Sequence, residues 1–321
     1  VNLSSKSGNT RIANFDLLEK YFLLEKNEDQ EIILDDFFLK SPKFFEFLLK
    51  ILNKGRSPVI YSDFDLELSL FGKFLSFLEI YSPFLYKVKF LVDLNLKGNV
   101  KKKSIKNIQY LELLLKKYIS SASNIIYTLN LEGLNSSIFS EISSLKTQID
   151  VQQLRLRFAP LQGKSYREYI NNSSIGDFLL EVLKYGTKNN IKISFDCCIY
   201  PCMFSKKNLK ILNSLSYYSE EIQSRFKYKC PAATFVCSSL GKIYHCPPLE
   251  KETQLPLYLD PISLAPDMYK IKKEMESKFL KLSESTLPQE CLICEYRISN
   301  ICRGICPALT LNKSFEGFSS N

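Results

Sequence analysis

All ten cysteines of this 321-residue chain lie after residue 196. They fall in three groups: Cys197, Cys198 and Cys202 in "FDCCIYPCMF"; Cys230, Cys237 and Cys246; and Cys291, Cys294, Cys302 and Cys306 in "CLICEYRISNICRGIC". Cys291 and Cys294 make a C-x2-C, a spacing that turns two thiolates inward on one centre, and Cys302 with Cys306 adds a C-x3-C. Thiolates suit zinc and iron–sulfur clusters, each of which takes four ligands. Free cysteines used as small core hydrophobes would be spread along the whole chain. His245 is the single histidine and precedes Cys246 in a strand-like piece, so the two side chains point opposite ways. One histidine argues against Ser-His-Asp or Cys-His catalysis. "GKS" at 163–165 follows a strand, but a phosphate-binding loop would need glycine at Phe158.

The elements that must position these thiols read as alternating strands and helices. Apolar, β-branched runs at 31–36, 58–64, 87–95, 124–132, 153–160 and 191–198 read as strands. Helical periodicity occupies 41–54, 65–81, 104–120, 175–190 and 205–226. The repeat of about thirty residues is a βα unit. The expected fold is α/β: a partial parallel β/α barrel of about six strands with a small Cys-rich, loop-rich C-terminal domain. Beyond 228 the rhythm fails, leaving Gly, Pro, Cys, pieces such as "KIYHC" and one helix near 265–282. Such a thin core suits a metal staple. The boundary is placed near 205–228, giving a barrel over 1–205 and a metal-bearing appendage over 206–321.

Composition narrows the partners. Hydrophobic residues make up 45%, as in a folded chain. The charge of +9 comes mostly from dispersed lysines, and the run Lys97–Lys103 reads as a solvated loop, so no nucleic-acid partner is expected. No run of about eighteen apolar residues suggests a membrane span, and no signal-peptide pattern opens the chain. A cytoplasmic, reducing location is therefore expected, where cysteines favour metal over disulfide. The chain does not begin with Met, which leaves room for a segment upstream.

Cys230, ten residues, Gly241, four residues and Cys246 resembles the first part of the SPASM motif, the auxiliary-cluster signature of radical S-adenosylmethionine (radical SAM) enzymes acting on peptides and proteins. Cys291, Cys294, Cys302 and Cys306 resemble its second part, with seven residues where the family has five. "FDCCIYPCMF" and "HCPPL" are similar to segments of this group, and the βα rhythm suits its barrel. The resemblance implies one or two auxiliary [4Fe–4S] clusters. Cys230, Cys246 and Cys306 would serve the first, with Cys237 or Cys202 as its fourth ligand; Cys291, Cys294 and Cys302 would serve the second.

The same comparison shows departures. The family holds its catalytic cluster with C-x3-C-x2-C after the first strand, where "VNLSSKSG" has Val1, Ser5 and Gly8. Its Gly-Gly-Glu-Pro segment is matched by Asp35, Asp36, Phe37 and Phe38. Val and Gly cannot ligate iron, and Phe37 cannot accept hydrogen bonds from an ammonium. With these departures the resemblance implies a pseudoenzyme: no catalytic residue is assigned, binding of S-adenosylmethionine is doubtful, and iron–sulfur binding is kept. Its expected role is to present a peptide or protein substrate, or to pass electrons, to an active radical SAM partner. A peptide would enter a barrel mouth lined by Arg155, Arg157 and Asp196. Two alternatives stay open: an active radical SAM peptide-modifying enzyme whose first cluster loop is missing from this chain, and a binding module with structural zinc.

Overall fold

A computed structural model describes residues 2–3, 32–35, 39–41, 43–94, 102–119, 124–131, 138–158, 173–195, 199–215, 236–237, 242–244, 249, 255–256 and 268–311. Cys197, Cys198, Cys230, Cys246, Asp196, Gly241 and His245 lie outside the described residues, as do Val1, Ser5, Gly8 and Asp36–Phe38.

In chain order the elements are β1 (Asn2–Leu3), β2 (Ile32–Asp35), α1 (Phe44–Asn53), β3 (Pro58–Ser62), α2 (Leu68–Ile80), β4 (Lys89–Leu94), α3 (Lys102–Ile119), β5 (Ile125–Leu131), α4 (Ile138–Lys146), β6 (Gln153–Phe158), α5 (Ser173–Lys188), β7 (Lys192–Phe195) and α6 (Lys206–Ser214). Then follow β8 (Val236–Cys237), β9 (Lys242–Tyr244), β10 (Leu255–Pro256), α7 (Met268–Ser285), α8 (Gln289–Leu292), α9 (Glu295–Ile298) and α10 (Pro307–Thr310). All six expected strands are present as β2–β7. The chain adds β1, too short for periodicity to reveal, and α4, whose "IFSEISSLK" carries three serines and a weak apolar stripe.

Strands β1–β7 pair in parallel and in sequence order, and the whole sheet reads β10-β9-β8-β1-β2-β3-β4-β5-β6-β7. The expected α/β fold with a partial β/α barrel is the one found. On its far side β1 pairs with β8 in parallel, Asn2 opposite Val236, and β8 turns back antiparallel on β9. The barrel sheet therefore continues into the C-terminal region through its first strand. No described helix is long and apolar enough to cross a membrane.

Packing follows from the apolar spacing. In α1, Phe44, Phe47, Leu48, Ile51 and Leu52 form a stripe at helical period and are buried. The stripe meets Ile60 and Phe90 of the sheet in one core that also holds Leu111, Tyr127, Leu154, Ile193 and Phe195. Phe74 stands between Phe44, Phe64 and Phe90, with ring centroids 6.3–6.5 Å apart. Each fully buried side chain of this size contributes about 1.5–3 kcal/mol. Polar side chains close the joints. Asn107 donates to the carbonyls of Phe64 and Leu66, at 2.9 and 3.3 Å. Asn124 donates to those of Leu85 and Val88, at 3.1 and 2.9 Å.

Candidate metal centre at the end of β7

The chain leaves β7 and returns at Ile199 and Tyr200, both buried, before one 3-10 turn over Pro201–Met203. Proline opens the turn, its φ already set. Pro201 and Met203 point inward and are buried, which leaves Cys202 between them facing outward. Two features fix the turn. Gly176 in α5 lies so close beneath it that a Cβ there would sit 2.0 Å from the carbonyl oxygen of Met203. Ser205 caps α6 by accepting from the Asn208 N–H at 3.1 Å, and Asn208 in turn bonds Asp177 of α5.

The C-terminal thiols are mounted on short turns. Pro288 caps α8, and the Cys291 N–H reaches the Pro288 carbonyl at 3.0 Å. Cys294 then caps α9, its carbonyl accepting from Arg297 and Ile298 at 3.0 and 2.9 Å. The seven residues between Cys294 and Cys302 hold this single helical turn and a left-handed Asn300, φ +57°. The chain is thereby brought back so that both Ile301 and Cys302 donate to the Tyr296 carbonyl at 2.9 Å. Gly304, at φ +100°, permits the next reversal and aims its N–H at the Cys302 sulfur, 3.3 Å away. A Cβ on Gly304 would stand 2.6 Å from Leu287 Cδ1, the movable end of a side chain, so it is the positive φ that keeps glycine here.

The two halves meet. The N–H of Cys306 donates to the Tyr200 hydroxyl at 2.8 Å, and Ile305 is buried in the barrel core with Cys291, Cys302 and Cys306 packed against it. The Cys202 thiol is pushed up to about 12, first by burial and then by the sulfurs of Cys302, Cys291 and Cys294. It keeps exposed surface, so atoms crowding its sulfur rather than full enclosure cause the desolvation. The Cys291 thiol is pushed up to about 11 by burial, then by Cys302, Cys294 and Glu290, with Arg297 opposing. Tyr296 is raised by burial, Glu295, Cys294 and Cys202.

The Cys202 thiol thus lies within electrostatic range of Cys291, Cys294 and Cys302. Cys230 and Cys246, with which the resemblance also grouped Cys202, lie outside the described residues. Cys237 lies in β8, beside β1, with its backbone in the sheet. None of Cys202, Cys291, Cys294, Cys302 and Cys306 is in a disulfide. As placed, no three His, Cys, Asp or Glu side chains among the described residues are gathered closely enough to hold a metal ion. By chemistry these thiols, carried on several turns with an amide N–H directed at one sulfur, are of the kind that an iron–sulfur cluster or zinc takes.

A second constellation lies on the sheet face turned away from the helices. Register sets Asp93 beside Thr128, Thr128 beside Arg155, and Arg155 beside Ser194, one row across β4–β7. Tyr61 donates to the Asp93 carboxylate. Thr128 is fully buried, and its hydroxyl has no hydrogen-bond partner among the described residues. Arg155 was foreseen as a lining residue; Asp93, Tyr61 and Thr128 were not. Only the register, which spacing along the chain does not reveal, aligns them. Arg157 follows Arg155 by two residues in β6, in register with Asn130 of β5.

No protein-family model matches the chain, and neither does any curated protein. Among solved structures, SuiB of Streptococcus suis matches with a TM-score of 0.51 and 13% identity, over 86% of this chain and 62% of that one. SuiB bound to S-adenosylmethionine matches at 0.49 and 14%, over 87% and 59%. SuiB bound to the precursor peptide SuiA matches at 0.45 and 13%, over 75% and 54%. The chain thus spans less than two thirds of SuiB, and what it shares with SuiB is the fold.

Proposed function

We propose that this chain is a radical SAM-like protein of peptide modification that keeps auxiliary iron–sulfur binding and has lost cleavage of S-adenosylmethionine. One observation carries the loss. Strand β1 sits in the sheet between β2 and β8, so its neighbours on both sides are taken. The segment that leaves β1 is where the family's three-cysteine loop belongs, and no cysteine occurs there before Cys197. The fold shared with SuiB, a protein solved with S-adenosylmethionine and with a precursor peptide, supports the family and a peptide as the thing handled.

Residues 1–205 form the barrel unit and 206–321 the auxiliary unit in this reading. An iron–sulfur centre in the auxiliary unit supplies one-electron transfer. The barrel's part is to hold a peptide over the row of Asp93, Thr128 and Arg155, for an active radical SAM partner to modify. Protein with a full complement of iron and sulfide, incubated with S-adenosylmethionine and a strong reductant, is expected to give no 5′-deoxyadenosine. Formation of that product would overturn the reading.

A further inference from the structure

We propose that the outward face shared by α2 and α3 is a docking surface for an acidic amphipathic helix of a partner polypeptide. The face shares no residue with the cysteine turns or with the row of Asp93, Thr128 and Arg155, so it stands whether or not iron is bound.

The inward sides of the two helices belong to the core: Phe71, Phe74 and Leu78 of α2 and Ile108, Leu111 and Leu115 of α3 are buried. Bridges at both ends set the helices side by side. At one end Lys103 reaches Glu67 at 3.3 Å; at the other, Lys117 and Tyr118 reach Glu79 at 2.9 and 2.8 Å. Outward, α3 presents Lys106, Tyr110, Leu113 and Lys117, a stripe at helical spacing. Tyr110 is 45% exposed and Leu113 64%. The outward side of α2 is low, with Ser69, Gly72 and Ser76 exposed, and a Cβ on Gly72 would meet nothing within 4 Å. Leu68 and Ile80 stand at its two ends, 67% and 71% exposed. Large apolar side chains gathered in the open on one face mark an interaction site.

Charge selects the occupant. Glu67 and Glu79, the acids of this face, are each paired with a lysine of α3. Lys73, Lys102 and Lys106 are exposed and make no ion pair among the described residues. Lys106 stands instead over the Tyr110 ring, 5.9 Å from its centroid. The face therefore offers unbalanced positive charge around an apolar stripe. Its complement is a helix with leucine-like residues on one side and Glu or Asp flanking them. The low side of α2 gives such a helix room to lie against Tyr110 and Leu113. A second copy of this chain would bring the same lysines against these, so like charges oppose self-association here.

The test uses the full chain and two fluorescein-labelled synthetic helices with the same leucine stripe. One carries glutamate and alanine at its remaining positions, the other lysine and alanine. Fluorescence anisotropy follows binding to the wild type, to Lys102→Glu/Lys106→Glu, to Leu113→Ser, and to a control reversal on other helices, Lys188→Glu/Lys210→Glu. Every substituted residue is exposed, and urea midpoints establish that each variant is folded. The expected result is saturable binding of the glutamate helix and none of the lysine helix. Affinity should fall about tenfold or more in Lys102→Glu/Lys106→Glu and in Leu113→Ser, and stay at the wild-type value in the control. It should also weaken as sodium chloride rises from about 30 to about 300 mM. No saturable binding of the glutamate helix would overturn the proposal. An equal loss in the control would overturn it too, by showing diffuse attraction to a chain of charge +9. Vesicles of phosphatidylglycerol and phosphatidylcholine form the last arm: binding to them that the two face variants abolish, without binding of the glutamate helix, would give the face to a lipid surface instead.

Discussion

The backbone N–H of Cys306 donates to the phenolic oxygen of Tyr200 across 2.8 Å, joining residues from the two ends of the functional site. Tyr200 is 3% exposed, so water is poorly placed to replace it. Tyr200→Phe keeps the ring and removes the acceptor. It is expected to cost about 1–2 kcal/mol in urea unfolding and to speed tryptic cleavage at Arg297 and Arg303. Unaltered stability and cleavage would show that the bond does not hold the loop.

Gly176 sets how near α5 comes to the Cys202 turn. In Gly176→Ala the new methyl group would meet backbone atoms of Met203 and Phe204, at 2.0–3.1 Å. Backbone yields less readily than the end of a flexible side chain. A loss of about 3 kcal/mol or more is expected, as for severe overpacking. Iron should fall together with stability, because the turn that presents Cys202 must move. Urea unfolding and iron content measured on one sample check both parts; an unchanged midpoint would refute the close approach.

Tyr127, 1% exposed, donates to Glu112 at 2.5 Å, and the same carboxylate oxygen accepts from the Asp150 N–H at 2.8 Å. Burial first and the Glu112 charge second push the Tyr127 phenol above its ordinary range. The folded state therefore holds that proton more tightly than the unfolded chain does. Stability from this source is complete below about pH 10 and declines as pH rises beyond it. Tyr127→Phe is expected to be less stable than wild type by about 1–2 kcal/mol at pH 8. The gap should narrow between pH 10 and 11, because only the wild type carries the buried phenol. Urea midpoints of both proteins across that range decide it, and a constant gap would contradict the assignment.

Thr128 carries a buried hydroxyl without a partner among the described residues. A valine there keeps the branched shape and removes a desolvated polar atom. Thr128→Val is expected to be more stable by about 1 kcal/mol in urea. A decrease would mean that the hydroxyl is satisfied in the folded protein.

The strands were legible because each is a short apolar run bounded by turn residues, and parallel strands covered on both faces read that way. "KFLVDL" is buried at every position but the first. Strand β1 was not legible as an element: two residues carry no period, and its place depends on β2 and β8 far along the chain. The cysteine pairs were visible from spacing alone. The meeting of the Cys202 turn with the C-terminal loop was not, because a turn after the seventh parallel strand and a loop about a hundred residues later come together only through tertiary packing. Gly176 looked like an unremarkable helical glycine, and its role appears only beside Met203.

Strand β1 precedes both of its partners in the chain, β2 at Ile32–Asp35 and β8 at Val236–Cys237. Asn2 pairs with Ile33 early and with Val236 only after most of the chain exists. During translation the outer edge of β1 stays open, with unpaired backbone groups that can recruit a strand from another chain. The β8–β9 hairpin is thus the cover for that edge of the sheet. A ribosome-stalled or prematurely terminated product that ends before β8 would expose that edge and be prone to self-association, even with its barrel core complete.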